Sequence, residues 1–100
     1  MKETRRQGEL IIKPCEKIKG KKLDHLILAE GEQTGHKHSI SHGKAEIYEE
    51  DGTLYLRVIS DMAELTHPDH KTLTIPKGNY EIVKQREYQV GEEKYREVRD

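Results

Sequence analysis

Phenylalanine and tryptophan are absent from this sequence, and cysteine occurs once. Without Phe or Trp, a core has to be assembled from Leu, Ile, Val and five Tyr. Hydrophobic residues make up only 32% of the chain against 37% charged, which is polar for a globular domain. One hundred residues suffice for a single domain with a thin core. A bound metal or a partner copy would reinforce such a core, so a homo-oligomer is one expectation. The single Cys15 excludes an intrachain disulfide and a thiolate zinc cluster. A lone thiol suits a reducing cytoplasm, and Cys15 reads as an inert thiol rather than a nucleophile. No apolar run is long enough to span a bilayer and no signal peptide is visible, so the expectation is a cytoplasmic protein without a membrane contact. Abundant Lys, Arg and Glu beside a single Asn, Asn79, match a thermophilic composition.

The net charge of −1 hides an uneven distribution. Residues 1–22 hold eight Lys/Arg and three Asp/Glu, whereas residues 23–80 hold five and ten. The basic start reads as an arm over residues 1–8, either solvated or touching phosphate or an acidic partner. The acidic middle argues against a broad nucleic-acid face. Residues 9–100 are expected to form one β domain.

Apolar residues alternate in short runs, and no stretch sustains a 3.6-residue period. Leu10, Ile11 and Ile12 mark a strand closed by Pro14. Residues 16–22 read as a loop with room for one helical turn. Residues 23–30 form a second strand with Leu26 and Leu28 on one face, and Gly31 and Gly35 bracket a turn. Residues 36–40 follow as a strand, and residues 41–44 as a turn. Asp51-Gly52 between two alternating runs is the strongest hairpin signal present. In its second arm Leu54, Leu56 and Val58 share a face. A short strand at 63–66 leads into the tight turn His67-Pro68-Asp69-His70. Residues 72–75 are then a strand, Pro76-Lys77-Gly78-Asn79 a turn, 80–88 a strand and 95–98 a last one. Eight or nine short strands separated by Gly/Pro turns imply an all-β fold, a single small barrel or compact jelly roll.

Six histidines occur, and four of them fall into two pairs: His36 with His38, and His67 with His70. In an extended segment, residues two apart face the same way, so His36 and His38 point together. The two pairs are expected to meet in one polar site, with Glu30, Glu32 or Asp69 completing a metal's shell or orienting a ring. His25 and His42 read as bystanders. Neutral imidazole is the commonest ligand for zinc, iron, nickel and related ions, and three protein ligands with one open position make a catalytic site. The leading expectation is a metal-dependent hydrolase that takes Zn, Mn, Fe or Ni on His36, His38, His67 and His70. The alternative uses the same residues without metal, one ring as base and another as acid, in a ribonuclease or phosphodiesterase. Tyr80, Tyr88, Lys71 or Arg86 would then hold phosphate or stack a base. A small molecule or RNA is the substrate class in these two cases. A non-enzymatic binding or assembly module is the third reading.

At His36-Lys37-His38 and Ile75-Pro76-Lys77-Gly78 the chain resembles the cupin family, over roughly residues 31 to 82. Cupins place His-x-His on one strand and Pro-x-Gly on a later one. The resemblance implies a β-barrel jelly roll with a metal among histidines, and His36 and His38 match the paired positions. The glutamate expected a few residues on is replaced by His42 and Gly43, and the later histidine by Glu81, so His67 or His70 would have to substitute. The combination of Gly-Glu-Gln-Thr-Gly-His-Lys-His at 31–38, His-Pro-Asp-His at 67–70 and Ile-Pro-Lys-Gly-Asn-Tyr at 75–80 also resembles small bacterial and phage proteins, a likeness that implies no activity.

Overall fold

The computed structural model describes residues 3–30 and 36–84. The expected turn at 31–35, the polar run 85–88 with its Arg86 and Tyr88, the strand at 95–98 and Glu32 lie outside the described residues. Within them the protein is all-β, with eight strands and no helix. They are β1 (Arg5–Gln7), β2 (Leu10–Pro14), β3 (Lys21–Lys22), β4 (Ile27–Glu30), β5 (Lys37–His42), β6 (Ala45–Glu50), β7 (Thr53–His67) and β8 (His70–Lys84). All pairings are antiparallel, and the sheet runs β1-β2-β8-β7-β5-β4, curled into a half-barrel. β3 attaches through β6, which also pairs with β7. Among the described residues no helix is long and apolar enough to cross a membrane.

The organising element is the 15-residue strand β7. It borders β8 on one side along most of its length. On the other side it pairs β6 through Thr53–Val58, then β5 through Glu64–Thr66. The change of partner coincides with a bulge: Val58 opposes Gly78, but the next pair is Met62 with Pro76. Lys44 grips the extra residues, since its carbonyl accepts from the Ile59 and Ser60 amides and its own amide donates to Ser60 Oγ. Extra residues in one strand bend it and reset which parity faces inward. The core shows this directly. Leu56 and Val58 are buried before the bulge, Ala63 and Leu65 after it. β8 switches in step, from Ile75 to Tyr80 and Ile82.

This corner corrects two expectations. Residues 53–60 and 63–66 are not two strands but one bent strand. Pro76-Lys77-Gly78-Asn79 is not a turn and lies inside β8. Proline donates no ladder hydrogen bond, so it is tolerated opposite a bulge, where the ladder is already broken.

Turn chemistry is as read at two other places. Asp51 and Gly52 both take positive φ, 52° and 84°, the conformation a two-residue I′ hairpin needs. Pro68-Asp69 joins the paired His67 and His70. Smaller differences are also local. The strand expected over 23–30 begins only at Ile27, leaving Leu26 exposed while Leu28 is buried. β5 continues through Ser41 and His42, which were expected in a turn. The loop at 16–22 forms no helical turn, and its end pairs with β6. At the N-terminus, the segment expected as an arm carries β1, which pairs with β2, and its Gln7 is buried.

Candidate metal centre

The inward face of β5 runs Ile40, His38, and that of β7 runs Ala63, Leu65, His67. Ile40, Ala63 and Leu65 are core residues. The histidines therefore continue the core face past its apolar part, at the end of the half-barrel where β7 turns into β8. All four paired histidines converge there. His67 lies at the centre, its ring 4.3 Å from His38, 4.6 Å from His70 and 6.0 Å from His36 between centroids. His38 and His70 are 5.9 Å apart and nearly parallel. His38 is buried, with 4% of its surface exposed, while His36, His67 and His70 are half-buried.

Asp69, on the turn between His67 and His70, adds a carboxylate. Its Oδ2 lies 2.7 Å from His36 Nδ1. Its backbone amide donates to His67 Nδ1 at 3.0 Å. One potential donor atom each from His36, His67 and Asp69 falls within 4.8 Å of the others. This spacing brings two imidazoles and a carboxylate within reach of one cation. His25 and His42 stand apart: His25 Nδ1 accepts from the Ile27 amide, and exposed His42 pairs with Glu64 at 3.2 Å.

Sequence reasoning missed Gln7. It is 2% exposed. Its Nε2 donates to the carbonyls of Leu65 and Lys71, both at 2.8 Å, and its Oε1 lies 2.8 Å from His38 Nδ1. No local signal marks it, because its partners come from β5, β7 and β8. The next residue, Gly8, has φ of +61°, and a Cβ there would fall 2.7 Å from His70 Nε2. The β1–β2 turn thus packs directly on the cluster.

Two other candidates fall away. Tyr80 is fully buried, and its hydroxyl donates to the Pro76 carbonyl at 2.6 Å, so it cannot stack a base. Cys15 donates its thiol to the Lys17 carbonyl, and burial followed by the Glu81 charge raises its pKa, which keeps it a thiol. A groove of about 470 Å³ floored by Leu23, Leu26, Ala45 and Ile59 shares no residue with the cluster.

The profile of one protein family, Domain of unknown function (DUF8820), matches residues 6–85. The chain belongs to this family. The DUF8820 span takes in Gln7, all four clustered histidines and Asp69, and it ends one residue beyond β8. No curated protein and no solved structure matches the chain.

Proposed function

We propose that the DUF8820 chain is a metal-binding β-barrel protein of the cytoplasm, with His36, His67 and Asp69 holding a divalent transition metal and His38 and His70 packed around them. The observation that carries this reading is the 4.8 Å grouping of two imidazoles and one carboxylate. A mixed nitrogen and oxygen donor set suits zinc, manganese, iron or nickel. The cupin resemblance at His36 and His38 supports the same reading, since that family seats a metal among histidines. It adds nothing at Pro76 and Gly78, which lie within β8. Three protein ligands leave room for a water that the metal would activate, and hydrolysis is the chemistry such a site supplies. Uptake competes with two hydrogen bonds already present, His36 to Asp69 and the Asp69 amide to His67.

Calorimetric titration with Zn²⁺, Mn²⁺, Ni²⁺ and, without oxygen, Fe²⁺ is the test. The expected result is one ion per chain, with saturating metal raising stability by about 2.7 kcal/mol at a hundredfold excess over Kd. His36→Ala is expected to lose at least ~10-fold in affinity, with His25→Ala unchanged. A folded protein that binds none of the four ions would overturn the proposal. Hydrolysis of model esters or phosphodiesters that survives chelation undiminished would overturn its catalytic half.

One observation favours a second reading, a metal-free acid/base nuclease. The Gln7 amide is oriented by two carbonyls, so its oxygen must accept from His38, which places the His38 proton on Nδ1. His67 Nδ1 accepts from the Asp69 amide, which places its proton on Nε2 when the ring is neutral. His38, with Nε2 as its basic atom, is then the base, and a second, protonated ring of the cluster gives the proton to the leaving group, as general acid–base cleavage of RNA requires. RNA cleavage that persists in EDTA and vanishes in His38→Ala is the outcome expected on this reading.

A further inference from the structure

We propose that Gln7 is the positioning residue of the histidine cluster: its side-chain amide holds His38 as the Nδ1–H tautomer, so that the atom His38 offers to the site is Nε2. A buried glutamine costs stability unless its polar atoms are paired, and a leucine would fill the same space without that cost. Here both Nε2 hydrogens are used on the Leu65 and Lys71 carbonyls, and Oε1 faces His38 Nδ1. No buried side-chain nitrogen or oxygen among the described residues lacks a partner. Rotating the amide by half a turn would set its oxygen against two carbonyl oxygens and its NH2 against His38. The arrangement therefore has one self-consistent solution. It requires a protonated Nδ1 on His38, and in a neutral ring this leaves Nε2 as the basic atom.

The same three bonds join β1 to β7, β8 and, through His38, β5. The N-terminal hairpin is thereby part of the site: Gln7 orients His38, and Gly8 gives His70 room. His38 in turn packs 4.3 Å from His67, one of the proposed ligands. The consequence for metal affinity rests on the reading of the cluster as a metal centre, whereas the tautomer does not.

Long-range ¹H–¹⁵N NMR of the full chain, at a pH where the histidines are neutral, reads which ring nitrogen carries the proton. His38 is expected to show Nδ1–H in the wild type. It is expected to lose the preference in Gln7→Met, where no acceptor oxygen remains. Zn²⁺ affinity is expected to fall by less than the roughly 10- to 100-fold that follows loss of a group hydrogen-bonded to a ligand, because His38 packs against His67 without holding the metal. Nε2–H on His38 in the wild type would overturn the proposal. So would an unchanged tautomer in Gln7→Met. Absence of Zn²⁺ binding by the wild type would overturn the metal reading, and the tautomer of His38 would still decide the role of Gln7.

Discussion

Gly43→Ala is expected to cost about 3 kcal/mol or more and to lower Tm by more than about 12 °C. Gly43 has φ of +93°, and a Cβ there would lie 2.4 Å from the Met62 carbonyl oxygen and 2.7 Å from the Ala63 Cα. Both obstacles are backbone, at the bulge where β7 changes partner, so neither can swing aside as a side chain would. Gly52 supplies the control. Its φ is similar, +84°, but nothing lies within 4 Å of its added Cβ. Gly52→Ala should show only the penalty of a left-handed conformation, about 1–2 kcal/mol. Urea unfolding of the two variants separates the effects. Equal losses would mean that backbone strain alone matters and that close contact with β7 contributes nothing.

Tyr80 carries the second large effect. It is the largest fully buried side chain among the described residues, in a core without Phe or Trp. Tyr80→Ala is expected to cost about 3–5 kcal/mol. Tyr80→Phe keeps the ring but strands the Pro76 carbonyl, at a cost of about 1–3 kcal/mol. The hydroxyl also sets an alkaline limit. Burial pushes its pKa up from the ordinary value of 10, with Arg5 opposing the shift. The folded chain then holds a proton that the unfolded chain releases. The contribution is intact below about pH 10 and is lost as pH climbs through the raised folded value. Unfolding curves of wild type and Tyr80→Phe between about pH 8 and pH 11 should converge at the alkaline end. A gap that stays constant would show that Tyr80 does not ionise on unfolding.

The histidine pairs illustrate how far the sequence reaches into the site. His36 and His38 could be grouped because alternation is a two-residue property, and His67 and His70 because a tight turn brings its ends together. That the pairs share one site was an expectation, and the β5–β7 pairing is what joins them. Asp69 could be named as a candidate because it sits between two histidines. Gln7 could not. Its contacts lie 31, 58 and 64 residues away along the chain, and nothing in its neighbourhood distinguishes it from the basic residues before it.

The same division runs through the fold. Period-two alternation, the Asp51-Gly52 turn and the Pro68-Asp69 turn depend on residues within three or four positions of one another, and the sequence alone determined them. With them came the all-β architecture and the location of the histidines. Which parity faces the core after residue 58 was decided only in three dimensions. There the bulge in β7 is fixed by Lys44 from the β5–β6 connection, and Pro76 and Gly78 become the corner of a continuous strand instead of a turn. Burial is a property of what lies across the sheet, so a polar residue such as Gln7 becomes an interior one only when three distant strands arrive with the partners it needs.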